Sequence, residues 1–270
     1  MRDPRLYQIA TLSALLAYGM SALRFEVAIP QVLVTLGMAL GVQLVLGRLW
    51  GLTSYDPRSA LISGLSLCLL LRTEQLWVAA AAAALAVGSK FLLRWRGKHV
   101  FNPTNVALVA LLAAGRAWVS PGQWGSSAFF AFLMACLGGL VVNRALRSDV
   151  TAAFLAWHLS FLFARTWRLG DPLSIPLHQL QSGALLLFAF FMISDPKTTP
   201  DSRAGRILFA ALVAAGAYFV QFRLYRPNGL LWSLAACSLA VPLIDVWLPG
   251  TRYQWMRPAA SALKGASNEA

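Results

Sequence analysis

The run QLWVAAAAAALAVGSKFLL, at Gln75–Leu93, contains a single charged residue, Lys90. A membrane-crossing helix needs about 20 mostly apolar residues, so this run is long enough to cross a bilayer. Six other runs have the same character: Tyr7–Leu23, Ala28–Leu46, Ser127–Arg144, Val150–Arg165, Ala204–Phe222 and Gly229–Leu248. The sequence therefore predicts an all-α integral membrane protein.

The overall composition agrees with this prediction. The 270-residue chain is 58% hydrophobic and 12% charged, with a mean hydropathy of +0.62. Soluble domains are about 45–50% apolar and about 25% charged, so the composition excludes a soluble globule, a disordered chain and a disulfide scaffold. The net charge of +13 is spread in small groups between apolar runs rather than gathered on one patch, so we expect a lipid bilayer and no nucleic acid as partner.

Three further apolar runs are too short to cross a membrane. Each has about 13 residues, which at 1.5 Å per residue covers roughly 20 Å of an apolar core about 30 Å thick. Such pieces are tolerated at membrane depth where protein or a cavity covers their ends. We therefore predict half-helices at Ser59–Leu71, Pro103–Gly115 and Ser182–Ser194.

The ten segments divide into two similar sets of five. A Ser-Gly pair lies in the third segment, at 63–64, and another opens the eighth, at 182–183. Asn and Pro open the fifth segment, at 102–103, and the tenth, at 227–228. Because each half has an odd number of segments, the halves would be inverted, which places binding sites near the midplane. We predict repeats over about 1–120 and 121–250 in one membrane domain, 1–250, with a flexible polar tail at 251–270; chance recurrence of these pairs is the alternative.

Charge and cysteine placement complete the topology. Most basic residues fall on the side that holds both termini in the ten-segment scheme, which predicts cytoplasmic termini. Cys68, Cys136 and Cys237 each lie inside an apolar run without a CxxC pair, so we expect no metal site. His158, inside a predicted helix, is a packing residue, a proton relay or a haem ligand.

The stretch Ser89–Asn105 is too polar for a plain membrane loop. Four cations precede Asn102, and Pro103 suits the first turn of a helix, so Asn102 is predicted to cap that helix. The positive end of the helix would then face an anion or a polar ring edge, with Thr104 and Asn105 beside it. A capped helix with a positive-inside anchor is the alternative interpretation.

The second polar stretch is Phe191–Arg206. Asp195 ends a short apolar segment, where an acidic group is costly and marks a site or a partner. Two prolines stop the helix and leave Thr198 and Thr199 with available hydroxyls in a fixed turn. Asp201 is expected to cap the following helix. The alternative is a stiff connection with local ion pairs to Arg203 and Arg206.

These two stretches carry a family resemblance. GKHVFNPTN, at 97–105, and MISDPKTTPDSRAGR, at 192–206, resemble the membrane-embedded D subunit of Rnf-type electron transport complexes and the B subunit of the sodium-pumping NADH:quinone oxidoreductase. The resemblance implies about ten helices in two inverted five-helix repeats of urea-transporter-like fold. It also implies a flavin, other membrane subunits as partners, and the bacterial-type inner (cytoplasmic) membrane as location.

The chain departs from this family at the flavin attachment site. Members carry a phosphoflavin esterified to a Thr in a Ser-Gly-Ala-Thr motif, whereas the Ser-Gly pairs here continue as Gly64-Leu65-Ser66 and Gly183-Ala184-Leu185. The connection Arg116–Ser126 is also short. The chain therefore resembles a shortened member, like accessory membrane proteins of enediyne-type clusters, and we expect any FMN or riboflavin to be held non-covalently.

The favoured hypothesis is a membrane subunit of an Rnf/Nqr-like redox complex that passes electrons across or along the membrane. We expect Asn102, Thr104 and Asn105 to contact the flavin, while the cytoplasmic approach is lined by Asp195, Thr198 and Thr199. No residue of the chain is assigned a catalytic or metal-ligating role, because the redox chemistry belongs to the cofactor. The rival hypotheses are a small-solute channel or transporter of urea-transporter-like fold and a purely structural assembly protein of such a complex.

Overall fold

Apolar helices make up most of the chain. The structure, a computed structural model, describes residues 3–23, 25–119 and 128–255. Its helices are α1 (Pro4–Ser21), α2 (Ile29–Leu49), α3 (Arg58–Leu70), α4 (Leu76–Leu92), α5 (Pro103–Ala113), α6 (Ala128–Arg144), α7 (Ser148–Leu169), α8 (Ser174–Leu180), α9 (Gly183–Leu187), α10 (Arg203–Phe222), α11 (Gly229–Ser238) and α12 (Val241–Trp247). A π-helical segment, Phe188–Met192, continues α9. Each of the ten apolar runs contains at least one of these helices, which confirms the all-α prediction.

Few of these helices are long and apolar enough to cross a membrane on their own. In the described part of the chain, α2 and α10 meet both requirements. The number rises to four if two bent pairs each count as one span. These pairs are α8 with α9 and the π segment, bent by 51°, and α11 with α12, bent by 52°. The ten-segment inverted arrangement remains a prediction.

The last apolar run differs from the expected single helix. Gly229–Leu248 is broken between α11 and α12, and Pro242 stands in the first turn of α12. Proline has no amide hydrogen, and its ring collides with the carbonyl four residues earlier, so the helix cannot continue through it. Helix α8, which precedes the eighth run, was not predicted.

Two sets of three helices pack in the same order. Helix α4 lies against α2 and α5, and α10 lies against α7 and α11. Small residues let helices approach closely in a membrane, and both central helices are rich in alanine. The fully buried alanines are Ala79, Ala82, Ala83 and Ala86 on α4 and Ala210, Ala214 and Ala217 on α10.

The start of α11 lies directly on the backbone of α10. A Cβ atom at Gly229 would come within 2.8 Å of the carbonyl oxygen of Ala217, so only glycine fits there. Asn228, which precedes it, has a φ of 60°, a left-handed conformation that asparagine tolerates better than most residues. Together these two residues fix the direction in which α11 begins.

Short strands brace the ends of the helices. Strand β1 (Leu71–Arg72) pairs antiparallel with β4 (Trp118–Val119), and β2 (Arg94–Trp95) pairs with β3 (Lys98–His99). The β2–β3 turn has positive φ at both of its residues, 48° at Arg96 and 79° at Gly97, as expected for a tight hairpin. This hairpin directly follows α4 and was not predicted from the sequence.

The predicted tail at 251–270 is partly described. Arg5 lies over the ring of Trp255, 4.8 Å from its centroid, and Lys197 Nζ donates to the carbonyl of Tyr253 at 3.0 Å. The tail is therefore packed as far as residue 255. Residues 256–270, and positions 120–126 of the short connection, lie outside the described residues.

Candidate functional site

A polar cavity lies where the two short helices α3 and α5 begin. Its volume is about 350 Å³, and it is bounded by the end of α4 and by the residues that follow the π segment. Phe91, Phe190 and Phe191 provide apolar walls. The lining also contains many polar side chains: Arg5, Gln8, Gln43, Asp56, Ser59, Ser63, Ser66, Lys90, Arg94, His99, Asn102, Thr104, Ser194, Asp195 and Lys197. We call this the first cavity.

Asn102 holds two walls of the first cavity together. Its Oδ1 accepts a hydrogen bond from the backbone N–H of Asn105 at 3.0 Å, which caps α5. Its Nδ2 donates to the carbonyl of Met192 at 3.2 Å and so ties α5 to the π segment. The predicted cap is confirmed, with Pro103 in the first turn. Both polar atoms of the side chain are hydrogen-bonded within the protein, so Asn102 shapes the cavity wall.

Lys90 is a buried cation on the cavity wall. Its Nζ donates to the backbone carbonyl of Ser59 at 2.6 Å and to the Ser59 hydroxyl at 2.8 Å. Only 6% of the side chain is exposed, although buried lysines are normally paired with an acid. No carboxylate of the described residues lies within salt-bridge distance of it, so the two oxygens of Ser59 hold the amine at the cavity wall.

Asp195 supplies the acidic group of the same cavity. Its Oδ1 accepts from the backbone N–H of Lys197 at 3.0 Å, and Asn102 Nδ2 lies 3.5 Å from Oδ2. Burial raises the pKa of this carboxyl, and the nearby charges of Lys90, Lys197 and Arg147 only partly oppose that rise. A carboxyl with a raised pKa can hold a proton where an ordinary aspartate is ionised.

His99 enters the cavity from the β2–β3 hairpin. Burial lowers its pKa to about 4, and the charges of Arg94, Lys90 and Lys197 contribute to that fall. The imidazole is therefore neutral at pH 7. Its Nδ1 is buried and has no hydrogen-bond partner. A neutral imidazole offers either a donor or an acceptor to a bound group.

A second unpartnered polar atom faces the first cavity from α2. Gln43 is 9% exposed, and its Oε1 has no hydrogen-bond partner. Buried polar atoms are normally hydrogen-bonded, so an exception marks a missing ligand, water or ion. Gln43 and His99 therefore indicate that the first cavity is built to hold a polar group.

An ion-pair network closes the cavity at the start of α1. Arg5 bonds to Asp3 at 2.7 Å and to Asp56 at 2.7 Å, and Arg58 bonds to the same two carboxylates at 2.6 and 2.9 Å. Burial raises the pKa of Asp56, but hydrogen bonds and charge from Arg58 and Arg5 outweigh it and hold the pKa below its ordinary value. The network joins the starts of α1 and α3, which both border the cavity.

The structure brings together three of the six predicted site residues. Asn102, Thr104 and Asp195 line the first cavity. The other three lie behind its wall: Asn105 Nδ2 donates to the carbonyl of Leu231 at 3.2 Å, Thr198 Oγ1 donates to the carbonyl of Asp195 at 3.3 Å, and Thr199 Oγ1 accepts from Arg147 Nε at 3.3 Å. The expectation that Thr198 and Thr199 present available hydroxyls is wrong, because both are buried and bonded. A role in flavin binding remains a prediction for all six.

Two expectations about the second polar stretch are also corrected. Ser202 caps α10 by accepting from the N–H of Gly205 at 3.0 Å, so Asp201 does not. Arg206 bonds to Asp149 at 2.6 Å rather than to Asp195. Asp201 instead joins Asp245 in holding Lys98, at 2.9 and 2.6 Å. The contacts of Arg206 and Lys98 link segments far apart in the sequence, which local spacing does not reveal.

Sequence reasoning missed three residues of the cavity: Gln43, Lys90 and His99. A signal for the first two was present, since both are polar residues inside apolar runs of membrane length and Lys90 is the single charged residue of its run. His99 had no such signal, because its position depends on the hairpin that follows α4.

A second cavity lies on the other side of α3 and the π segment. Its volume is about 380 Å³, and it is bounded by the starts of α9 and α11. The lining is mostly apolar, with Leu70, Phe188 and Leu231, and contains no charged side chain among the described residues. His158 on α7 borders it, is 5% exposed and has an Nδ1 without a partner.

Comparisons with known proteins agree on one family. Residues 116–254 match the family described as NQR2, RnfD, RnfE. The chain is 31% identical over 137 residues to the D subunit of the ion-translocating oxidoreductase complex of Erwinia tasmaniensis, over 50% of this chain and 36% of that protein. The D subunits from Shewanella amazonensis and Tolumonas auensis are 28% identical over 158 residues and 39% identical over 72 residues, which cover 55% and 27% of this chain and 43% and 21% of theirs. The chain thus spans less than half the length of these relatives.

Proposed function

The chain belongs to the NQR2, RnfD, RnfE family, and from this premise we propose that it is a membrane subunit of a multi-subunit redox complex. We propose that it holds FMN or riboflavin non-covalently in the first cavity and passes electrons within that complex. Its relatives are named as D subunits of ion-translocating oxidoreductase complexes, which supports the complex. The unpartnered polar atoms of Gln43 and His99 in a cavity lined by cations carry the cofactor assignment.

The residues present fit a flavin ring. A cavity of about 350 Å³ is within the range of about 300–1,000 Å³ found for small-molecule sites. Phe91, Phe190 and Phe191 offer apolar and aromatic surface to the faces of a flat ring. At its edge, Gln43 and His99 offer hydrogen-bonding atoms that nothing else in the described chain uses. A ring rich in carbonyl and nitrogen atoms satisfies both requirements.

The protein's own groups would bind and tune this ring. Lys90 would place its buried amine beside the ring, where a protonated amine favours a ring that gains negative charge. Burial raises the pKa of Asp195, whose carboxyl lies beside Asn102 on the same wall. The flavin, when bound, supplies the electron-carrying chemistry.

The packing of the half-helices supports the inverted-repeat architecture. Helix α3 has its start at the first cavity and Leu70, near its end, at the second, whereas α9 starts at the second and the residues just after the π segment, Ser194 and Asp195, line the first. The two half-helices therefore run in opposite directions between the cavities. We propose ten membrane segments with both termini cytoplasmic, in a bacterial-type inner membrane. Single cysteines at Ala270 and Gly122 would then react with an impermeant thiol reagent from opposite sides, whereas reaction from one side contradicts this topology.

Purification of the full chain in detergent tests the function. The proposal predicts yellow protein with flavin absorbance and near one flavin per chain, and co-purification of the other subunits when a mild detergent is used. After denaturation the flavin should leave the protein, so no fluorescent band should appear at the mass of the chain on a denaturing gel. A fluorescent band would contradict non-covalent binding. Colourless protein that transports a small solute in vesicles would favour a channel instead.

A further inference from the structure

A side chamber opens from the first cavity toward the hairpin. Its volume is about 230 Å³, and it lies between the β2–β3 hairpin, the loop after the π segment and the segment at Arg252 and Tyr253. Arg94, His99 and Lys197 line both the first cavity and this chamber. The two spaces therefore adjoin, and one ligand can occupy both.

Three cations of the side chamber lack an acidic partner. Among the described residues, no carboxylate forms an ion pair with Arg94, Lys197 or Arg252. Lys98, which also lines the chamber, is different, because Asp201 and Asp245 hold its Nζ at 2.9 and 2.6 Å. The chamber thus keeps an excess of positive charge that its own acids do not remove, although Asp195 lies close enough to Lys197 to offset part of it.

Each of these cations is held in place by one backbone carbonyl. Arg94 Nε donates to the carbonyl of Lys90, Lys197 Nζ to that of Tyr253 at 3.0 Å, and Arg252 Nη2 to that of Arg96 at 2.9 Å. An arginine has five N–H donors and a lysine has three, so every side chain keeps donors for a ligand. The cations are therefore oriented before a ligand arrives, which reduces the entropy cost of binding.

We propose that the side chamber binds a phosphate monoester, the phosphate of a flavin mononucleotide whose ring lies in the first cavity. This inference rests on the proposed function and selects FMN over riboflavin. A phosphate monoester carries nearly two negative charges and three acceptor oxygens, which match several fixed cations. Riboflavin has the same ring and ends in a neutral hydroxyl, so it leaves the cations unused.

The same phosphate chemistry occurs in the headgroup of phosphatidic acid. The continuity of the chamber with the first cavity favours the flavin, because a lipid headgroup would not need a ring-sized space beside it. Short-chain phosphatidic acid and inorganic phosphate therefore serve as competitors that separate the two sources.

Binding of riboflavin and FMN to the detergent-purified full chain tests this proposal, by equilibrium dialysis after bound flavin has been removed. We expect FMN to bind at least roughly tenfold more tightly than riboflavin, since charge-assisted hydrogen bonds are the stronger kind. The double variant Lys197→Gln/Arg252→Gln should lose this preference. Arg252→Gln alone, at a residue that lines the side chamber and not the first cavity, should weaken FMN binding and leave riboflavin binding unchanged. The matched control is Arg168→Gln, an exposed cation in the last turn of α7 that lines none of these spaces.

Each result bears on the proposal. Equal binding of both flavins to wild type contradicts the phosphate site and leaves the proposed function intact. If neither flavin binds, the proposed function fails, and phosphorus NMR of inorganic phosphate then tests the phosphate site alone. Broadening of the phosphate line by wild type, but not by the double variant, supports the site. Equal spectra with both proteins contradict it. If phosphatidic acid displaces bound inorganic phosphate and FMN does not, the chamber is a lipid site and the proposal is contradicted. If the double variant unfolds, Arg252→Gln alone, at an exposed position, replaces it.

Discussion

The two cavities are alike in size and differ in chemistry. Both measure between about 350 and about 380 Å³, and α3 and the π segment separate them. Each has one buried, unpartnered polar side chain on a long helix, Gln43 in the first and His158 in the second. The first is lined by several basic side chains and by the half-buried carboxyl groups of Asp56 and Asp195, whereas no charged side chain of the described chain lines the second.

This difference shows that cavity volume does not identify the functional site. A buried charge is costly in a membrane protein and is retained where it has a role. Lys90 and Asp195 therefore distinguish the first cavity from a space of similar size that packing alone explains. The π segment supports the same assignment, because π-helical turns are frequent at functional sites and this one lends Phe190 and Phe191 to the cavity.

The largest expected effect concerns the ion pairs that hold the hairpin beside the first cavity. Lys98→Met leaves the partly buried carboxylates of Asp201 and Asp245 without their cation, so we expect a loss of about 2–3 kcal/mol in the free energy of unfolding. The control is Arg165→Met, near the C-terminal end of α7. It breaks a half-exposed ion pair with Asp171 and should cost about 0–1 kcal/mol. Thermal unfolding in detergent measures both. Equal losses of stability would contradict the claim that the Lys98 ion pairs stabilise the protein more than an exposed ion pair does.

A smaller effect is expected at the acid of the first cavity. Asp195→Asn removes the negative charge that faces Lys90 and Lys197, so we expect roughly tenfold weaker flavin binding, equivalent to about 1.4 kcal/mol. Membrane insertion should persist. The control is Asp171→Asn, at a carboxylate outside both cavities. Flavin content and complex assembly that match wild type would reduce Asp195 to a loop residue.

The next prediction uses the pH dependence of stability. Burial lowers the pKa of His99 from its ordinary value of 6.5 to about 4, so the folded protein resists protonation that the unfolded chain accepts. Its contribution to stability is full above pH 6.5 and is lost as the pH falls from 6.5 to about 4. His99→Gln should remove this part of the pH dependence. A variant whose melting temperature follows the wild-type pH profile would place His99 outside the buried environment.

The sequence predicted the helices well and the site in part. Apolar runs located every long helix, because the bilayer requires length and low charge from each segment, and a cap signature located the start of α5 at Asn102. Thr198 was misjudged because the turn directs its hydroxyl to the carbonyl of Asp195, and Thr199 because its partner, Arg147, is 52 residues away in the sequence. The β2–β3 hairpin was missed because two-residue strands leave almost no alternating pattern.

The most direct test of the account compares the two unpartnered residues. Gln43→Leu and His158→Leu each replace a buried polar group by an apolar one, so both variants should fold at least as well as wild type. The measurement is the flavin content per chain after purification, beside the melting temperature. We predict that Gln43→Leu loses most of its flavin and that His158→Leu keeps it. Loss of flavin from His158→Leu with full retention by Gln43→Leu would contradict the assignment of the first cavity.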